Sequence, residues 1–123
     1  FTSALMQAVY SIQQQQSASY VKQAKNYIEN NYANFDVSLQ TVASALGISG
    51  NYLSTLFGKE EGVSFNQYLQ HVRMNKSTTL LNTSSNTIQE IAFQCGFEDA
   101  NYFSKCFKKV MGITPKQYRQ QST

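Results

Sequence analysis

Apolar residues recur at helical spacing along most of the chain. The first stripe contains Tyr20, Ala24, Tyr27, Ile28 and Tyr32. Later stripes consist of Leu39, Val42, Ala43 and Leu46; of Leu53, Leu56 and Phe57; of Phe65, Tyr68, Leu69, Val72 and Leu80; of Ile88, Ile91, Ala92 and Cys95; and of Phe103, Cys106, Phe107 and Val110. Such spacing indicates amphipathic helices with one face in the core. With a short last helix from Pro115, the pattern predicts an all-α fold of seven helices, the fourth long and running from about Ser64 to Leu81.

The predicted helix starts carry their own signal. Three segments begin with a hydroxyl residue followed three positions later by Glu or Gln: Ser64-Phe-Asn-Gln67, Thr87-Ile-Gln-Glu90 and Thr114-Pro-Lys-Gln117. In such a capping box each of the two side chains accepts a backbone N–H of the other residue. Pro115 adds a residue suited to the first helical position. The three boxes therefore predict three helix starts independently of the apolar pattern.

The second half of the chain repeats the first. At an offset of 49, residues 39–48 fall on 88–97, with Gly47 on Gly96; at an offset of 50, residues 52–68 fall on 102–118. A one-residue insertion in a turn explains the change of offset. Each copy is a helix, a turn beginning with Gly and a second helix, which is the outline of a helix-turn-helix. We therefore expect one helix-turn-helix at about 38–61 and another at about 87–111, joined by the long fourth helix.

Many residues along the repeat match one family. They are Leu46-Gly-Ile-Ser49, Tyr52-Leu-Ser54, Phe57, Gly62, Ser64-Phe65, Tyr68-Leu69, Arg73, Leu80-Leu81, Ile88, Glu90-Ile-Ala92, Gly96-Phe97, Tyr102-Phe-Ser104, Phe107-Lys-Lys109, Gly112, Thr114-Pro115 and Tyr118-Arg119. Over about residues 20–121 the chain resembles the DNA-binding domain of AraC/XylS-type transcription regulators. It departs from the family pattern at Ser77, where alanine is usual, and at Cys95.

The resemblance implies a function and partners. Members of the family are bacterial regulators that insert the second helix of each helix-turn-helix into successive major grooves of double-stranded DNA. Most activate transcription, often through contact with RNA polymerase, and carry a sensor or receiver domain before this module. We therefore expect the sequence-specific DNA-binding domain of an activator, with a weak preference for a two-component output domain. The rival hypothesis is a helical protein-interaction module that does not bind DNA.

The outward faces of the two recognition helices are the candidate base-reading surfaces. If the apolar residues face the core, the first helix turns Asn51, Ser54 and Thr55 outward, and the second turns Asn101, Ser104 and Lys105 outward. Asparagine pairs with adenine, lysine donates to guanine, and serine or threonine contacts several bases. An ordinary solvated helix face is the alternative interpretation of each set.

Phosphate contacts should come from residues at the ends of the same helices. The candidates are Ser49, Lys59, Lys108, Lys109, Lys116 and Arg119. Asp99, the second N-cap, is a weaker candidate because its carboxylate repels phosphate. Arg73 is expected to pair with an acidic residue rather than with DNA. Residues 88–123 carry five basic and three acidic residues against five and four in 20–87, so the second copy should bind phosphate more strongly.

The first nineteen residues differ from the rest of the chain. They contain no charged residue and include Gln13-Gln14-Gln15-Gln16. Leu5, Val9 and Ile12 would share one face of a short helix. Two hypotheses remain, a frayed interdomain linker and the last turns of a dimerising coiled coil. Since the chain starts at Phe1, we expect it to be part of a longer protein, with residues 20–123 as the DNA-binding domain.

Composition excludes several other classes. Apolar residues make up 41% of the 123 positions, and the net charge of +3 permits a DNA partner without proving one. Cys95, Cys106 and the single His71 cannot supply a four-ligand zinc site, so we expect no metal and no cofactor. The cysteines are expected to be buried apolar residues, with a redox switch as the minor alternative. No set of residues suits catalysis, and we expect a non-enzymatic, soluble, cytoplasmic chain without a membrane segment.

Overall fold

The computed structural model describes residues 2–121, and this part of the chain consists of seven helices without a strand. The helices are α1 (Thr2–Asn31), α2 (Leu39–Leu46), α3 (Gly50–Glu61), α4 (Phe65–Thr83), α5 (Ile88–Gln94), α6 (Ala100–Met111) and α7 (Pro115–Gln121). The predicted all-α class, the helix count and the long fourth helix are confirmed. Helices α2 and α3 form one helix-turn-helix, and α5 and α6 form the other.

The helix starts have the predicted caps. The N–H groups of Ser64, Thr87 and Thr114 donate to the side chains three residues later, at 2.9, 3.3 and 3.0 Å, and each hydroxyl accepts the N–H of that later residue at 3.1 Å. A fourth box lies at α2, where Ser38 and Thr41 exchange the same two bonds. The sequence rule missed it because Thr, not Glu or Gln, occupies the third helical position.

The chain divides into two compact units. The first contains the chain up to Asn30 together with Val37–Tyr68, and the second contains Asn31–Asp36 together with the chain from Leu69 onward. Each unit therefore contains one helix-turn-helix.

The first unit is organised around apolar residues of four helices. Ala24 and Ile28 of α1, Val42 of α2, and Leu53 and Phe57 of α3 are fully buried. Phe65 of α4 packs edge-on against Phe57, with ring centroids 5.7 Å apart. At the margin of this core, Lys25 donates to the Glu61 carboxylate at 2.9 Å. The apolar stripes predicted for these helices thus contain the residues that are buried in this core.

Helix α1 continues without a break through the residue at which composition changes. Its first half leaves Leu5, Val9 and Ile12 exposed, whereas Val21 and Ala24 in its second half are buried. The predicted domain boundary at about residue 20 stays a prediction. No helix in the described range is long and apolar enough to cross a bilayer.

The second unit is held together partly by Arg73. Its guanidinium donates to the backbone carbonyls of Tyr32 at 2.9 Å and Asn34 at 3.0 Å, and it lies 5.7 Å from the centre of the Phe97 ring. The prediction that Arg73 pairs with an acidic residue is wrong. Backbone carbonyls that have no helical partner attract the fork of N–H donors instead. Burial lowers the pKa of Arg73, opposed by the nearby Cys95 thiol.

Candidate nucleic-acid interface

Each recognition helix begins with a side-chain cap. The Ser49 hydroxyl accepts the N–H of Tyr52 at 3.1 Å at the start of α3, and the Asp99 carboxylate accepts the N–H groups of Asn101 and Tyr102 at 2.8 and 3.4 Å at the start of α6. Ser49 keeps a hydroxyl proton that can be donated to an anion. Asp99 places a negative charge at the corresponding point, so the start of α3 suits a phosphate better than the start of α6.

The polar face of α3 is exposed as predicted. Leu53, Leu56 and Phe57 are buried, whereas Asn51, Ser54 and Thr55 are exposed. The Thr55 hydroxyl donates to the Asn51 carbonyl at 3.0 Å. Because its proton is engaged in the helix, Thr55 offers a ligand its lone pairs and its methyl group. Asn51 keeps its side-chain amide available.

Helix α6 repeats this arrangement. Phe103, Cys106 and Phe107 are buried, Asn101 and Lys105 are exposed, and Ser104 is half-buried. The prediction that Val110 faces the core is wrong, because Val110 is 41% exposed. It lies in the last turn of α6, and its counterpart in the first copy is the exposed Glu60. The repeat itself therefore carried the signal that this position lies beyond the core.

The predicted phosphate-binding lysines are all exposed. Lys59 lies in the last turn of α3, Lys108 and Lys109 lie in the last turns of α6, and Lys116 lies in α7. None of these four makes an ion pair within residues 2–121, whereas Lys25 forms one with Glu61. Including Lys105, α6 and α7 carry four exposed lysines against one on α3, so positive charge is concentrated on the second copy.

Arg119 does not belong with these lysines. Its guanidinium donates to the carbonyls of Leu81 at 3.3 Å, Asn86 at 2.6 Å and Ser84 at 3.2 Å. The first and third of these carbonyls lie at the C-terminal end of α4 and just beyond it. Three of the five N–H donors of Arg119 are therefore used inside the second unit, which gives this side chain a structural role and makes it a weaker candidate for phosphate contact than the exposed lysines.

Two tyrosines on the recognition helices were not among the predicted site residues. Tyr52 is 45% exposed and Tyr102 is 57% exposed, and they occupy the same position of the repeat. In the sequence both serve only as matching positions of the repeat, with no role assigned to them. The available signal was that neither falls on the buried face of its helix.

The cysteines lie in the core of the second unit. Cys95 and Cys106 are free thiols and both are buried. Burial raises the pKa of Cys95 to about 11, against the opposing effect of Arg73. The Cys95 thiol is therefore protonated at neutral pH. Across residues 2–121 no three His, Cys, Asp or Glu side chains are grouped so as to hold a metal ion.

The chain is similar in sequence to a known family of proteins. A family model described as a helix-turn-helix domain, of the AraC type, matches residues 42–121. Over 97 residues the chain is 41% identical to YijO of Escherichia coli K12, an uncharacterized HTH-type transcriptional regulator. The aligned region covers 79% of this chain and 34% of YijO. Over 83 residues it is 43% identical to the transcriptional activator RhaR of Cronobacter sakazakii, covering 68% of this chain and 29% of RhaR.

A solved structure shares the fold at similar identity. The C-terminal domain of AraT, a response regulator from Geobacillus stearothermophilus, superimposes with a TM-score of 0.82 at 39% identity, covering 83% of this chain and 84% of that one. The present chain spans about a third of the length of the first curated relatives that it matches.

Proposed function

Because this chain belongs to the AraC/XylS family of helix-turn-helix DNA-binding domains, we propose that it reads DNA for a bacterial transcription regulator with α3 and α6 as its two recognition helices. In this proposal each helix enters a major groove and turns the residues of its first turns toward the base edges. One observation carries the proposal. At equivalent positions of two copies, a polar face that is exposed except at the half-buried Ser104 stands opposite a buried apolar face.

On α3 the base contacts fall to Asn51, Ser54 and Thr55. The Asn51 amide offers a donor and an acceptor, the pair that matches the N6 and N7 edge of adenine. Thr55 has its hydroxyl proton engaged by the helix, which favours contact between its methyl group and the methyl group of thymine. Ser54 donates or accepts on the same face.

On α6 the corresponding residues are Asn101, Ser104 and Lys105. Lys105 replaces Thr55 of the first copy, and its ammonium group matches the O6 and N7 acceptors of guanine. The two helices thus present different chemistry at the same repeat position. We therefore expect the preferred DNA site to be asymmetric, with one half that favours guanine opposite Lys105.

Phosphate contacts position both helices. The exposed lysines Lys59, Lys108, Lys109 and Lys116 supply the charge, and Ser49 supplies a hydroxyl beside the N-terminus of α3. Since most of this charge lies on the second copy, that copy contributes more of the salt-dependent affinity.

The parts of the function that lie outside this domain rest on the relatives. RhaR is named an activator, and AraT is named a response regulator. By analogy, this chain serves an activator that contacts RNA polymerase, follows a sensor or receiver domain, and acts in the cytoplasm where the DNA lies. It binds DNA without catalysis, metal or cofactor.

Selection from a pool of random DNA duplexes tests the proposal. The chain should enrich one asymmetric site, and its affinity should fall steeply with salt because phosphate contacts release counterions. Asn51→Ala should relax base preference in one half of the site, and Asn101→Ala should relax it in the other. His71→Ala, an exposed position on α4, is the matched control and should change neither half.

The rival hypothesis, a helical protein-interaction module that does not bind DNA, predicts the opposite result. A helical protein-interaction domain would show no enrichment and no salt-dependent DNA affinity. Enrichment that survives both asparagine variants unchanged would instead remove these two residues from the base-reading set.

A further inference from the structure

The repeat places one exposed tyrosine at the start of each recognition helix. Tyr52 and Tyr102 are the third residues of α3 and α6, and each directly follows the asparagine proposed to read a base. Roughly half of each side chain is accessible to solvent. A half-exposed aromatic residue retained at one position of both copies, although it fills no core, indicates a role at the outer surface.

Both rings are supported from one side. Tyr52 packs edge-on against Tyr20 with ring centroids 6.2 Å apart, and Tyr102 packs at a tilt against Phe97 at the same distance. A ring held in this way loses little further freedom when its hydroxyl meets a ligand. Each tyrosine ring is therefore held on one side by another ring, and about half of the residue remains exposed.

A second pair of repeated tyrosines behaves differently. Tyr68 and Tyr118 also match at the offset of 50, but they are half-buried and lie edge-on against the core rings of Phe57 and Phe107, at 5.3 and 5.6 Å. The repeat therefore contains an inner and an outer tyrosine in each copy. The inner tyrosine has a packing role that explains its presence, and the outer tyrosine lacks one of comparable extent.

The outer tyrosines share a flank with a lysine. Tyr52 and Lys59 lie seven residues apart on α3, and Tyr102 and Lys109 lie seven apart on α6, so each pair is stacked on one side of its helix two turns apart. Tyr52 and Lys59 border the same groove of about 360 Å³, which lies between α3 and the first half of α1. Each asparagine is displaced from its neighbouring tyrosine by about 100° around the helix. The tyrosine and lysine therefore form an edge of the polar face, where the wall of a DNA groove would lie.

We propose that Tyr52 and Tyr102 are phosphate-positioning residues whose phenolic O–H donates to the DNA backbone at the edge of the groove that each recognition helix enters. The inference rests on the proposed function. Tyrosine is among the side chains that contact phosphate oxygens in protein–DNA complexes, and such contacts set register without reading sequence. Lys59 and Lys109 supply charge on the same flank, while each tyrosine supplies a fixed neutral donor.

The Tyr102 hydroxyl has one competing contact. Hydrogen bonding with the neighbouring Cys106 side chain, then charge repulsion from its thiolate form, raises the pKa of Tyr102. The phenol therefore keeps its proton, and a phosphate oxygen would have to replace the Cys106 sulfur as the acceptor of its hydrogen bond.

The test replaces only the hydroxyl group. Tyr52→Phe and Tyr102→Phe should each weaken binding about tenfold, the size expected for loss of a hydrogen bond to a charged acceptor. The loss should be equal on the selected site and on mixed-sequence DNA. The slope of log affinity against log salt should stay unchanged, because no counterion is released by a neutral group. Lys109→Gln should instead reduce the slope by about 0.9.

Tyr68→Phe is the matched control, since it removes the hydroxyl of an inner tyrosine, and it should leave DNA affinity unchanged. Thermal unfolding of every variant separates binding from folding. Failure of the unmodified chain to bind DNA would overturn the proposed function itself. If the unmodified chain binds DNA and both Tyr52→Phe and Tyr102→Phe bind it with the same affinity, only the positioning role is wrong. A loss confined to the selected site, or one that follows a fall in Tm, would also overturn it.

Discussion

Replacing Gly96 with alanine should damage the second unit far more than the same change at its repeat counterpart, Gly47. Both glycines follow the first helix of a helix-turn-helix, and both have positive φ, 93° and 75°. Their surroundings differ. A Cβ at Gly96 would collide with the backbone carbonyl oxygen of Tyr32 and would lie 2.8 Å from Nε of Arg73, whereas a Cβ at Gly47 would meet no atom within 4 Å.

The size of the effect follows from two contributions. A side chain in the left-handed region costs about 1–2 kcal/mol at either position. At Gly96 the Cβ also enters the site where Arg73 donates to Tyr32 at 2.9 Å. Weakening a hydrogen bond from a charged donor costs about 1.5–3 kcal/mol more. We therefore expect Gly96→Ala to lower the free energy of unfolding by about 2.5–5 kcal/mol and Gly47→Ala to lower it by about 1–2 kcal/mol.

Urea unfolding followed by circular dichroism measures both variants under the same conditions. Gly47→Ala is the matched control, because it shares the backbone strain but lacks the close approach. Gly96, Tyr32 and Arg73 all belong to the second unit, so the transition of that unit should move to lower urea. Equal losses of stability in the two variants would refute the reasoning, since backbone strain alone would then account for both.

Three further predictions concern α6, the buried thiols and the end of α4. Lys105→Ala should cost about 1–3 kcal/mol of binding free energy at the selected site and relax base preference mainly at one guanine. Lys108→Ala should weaken binding to all sequences alike and reduce the salt slope by about one. Equal losses on every sequence for both variants would count against Lys105 as a base contact. Cys95→Ala should lower stability by about 1 kcal/mol without changing sequence preference, and thiol reagents should label Cys95 and Cys106 slowly in the native chain. The pKa of Cys95 is raised from an ordinary value of 9.0 to about 11 in the folded state, so the unfolded state releases this proton at lower pH. The contribution of Cys95 to stability should therefore fall between pH 9 and 11. Cys95→Ala should abolish that fall. Arg119→Gln should lower Tm because three carbonyls lose a donor, and it should leave the salt slope of DNA binding unchanged. A reduced slope would show that Arg119 also contacts phosphate.

Much of the fold could be predicted from the sequence because its signals are local. A capping box involves residues three positions apart, so Ser64, Thr87 and Thr114 marked their helix starts without knowledge of the tertiary structure. The apolar period likewise identified Phe57 and Phe107 as core residues, because a helix of either copy has one face to bury. The polar faces of α3 and α6 followed as the remaining sides of those helices.

The partners of the arginines could not be predicted in this way. Arg73 reaches carbonyls about forty positions earlier, and Arg119 reaches carbonyls more than thirty positions earlier. Which backbone oxygens lack a partner, and which of them a guanidinium can reach, depends on how distant segments pack. From charge and position along the chain we expected an acidic partner for Arg73 and a phosphate for Arg119, whereas in the structure both guanidinium groups donate to backbone carbonyls.

The sequence by itself determined the helices, the repeat and the two polar faces, since each depends on interactions within a few turns. Tertiary structure decided which apolar positions the core could reach. It buried Phe103 but left Val110 in solvent at the end of the same helix, and it left Tyr52 and Tyr102 half-exposed beside the asparagines. The physical reason is that a helical period gives the direction of a side chain, whereas burial also requires another element to lie in that direction.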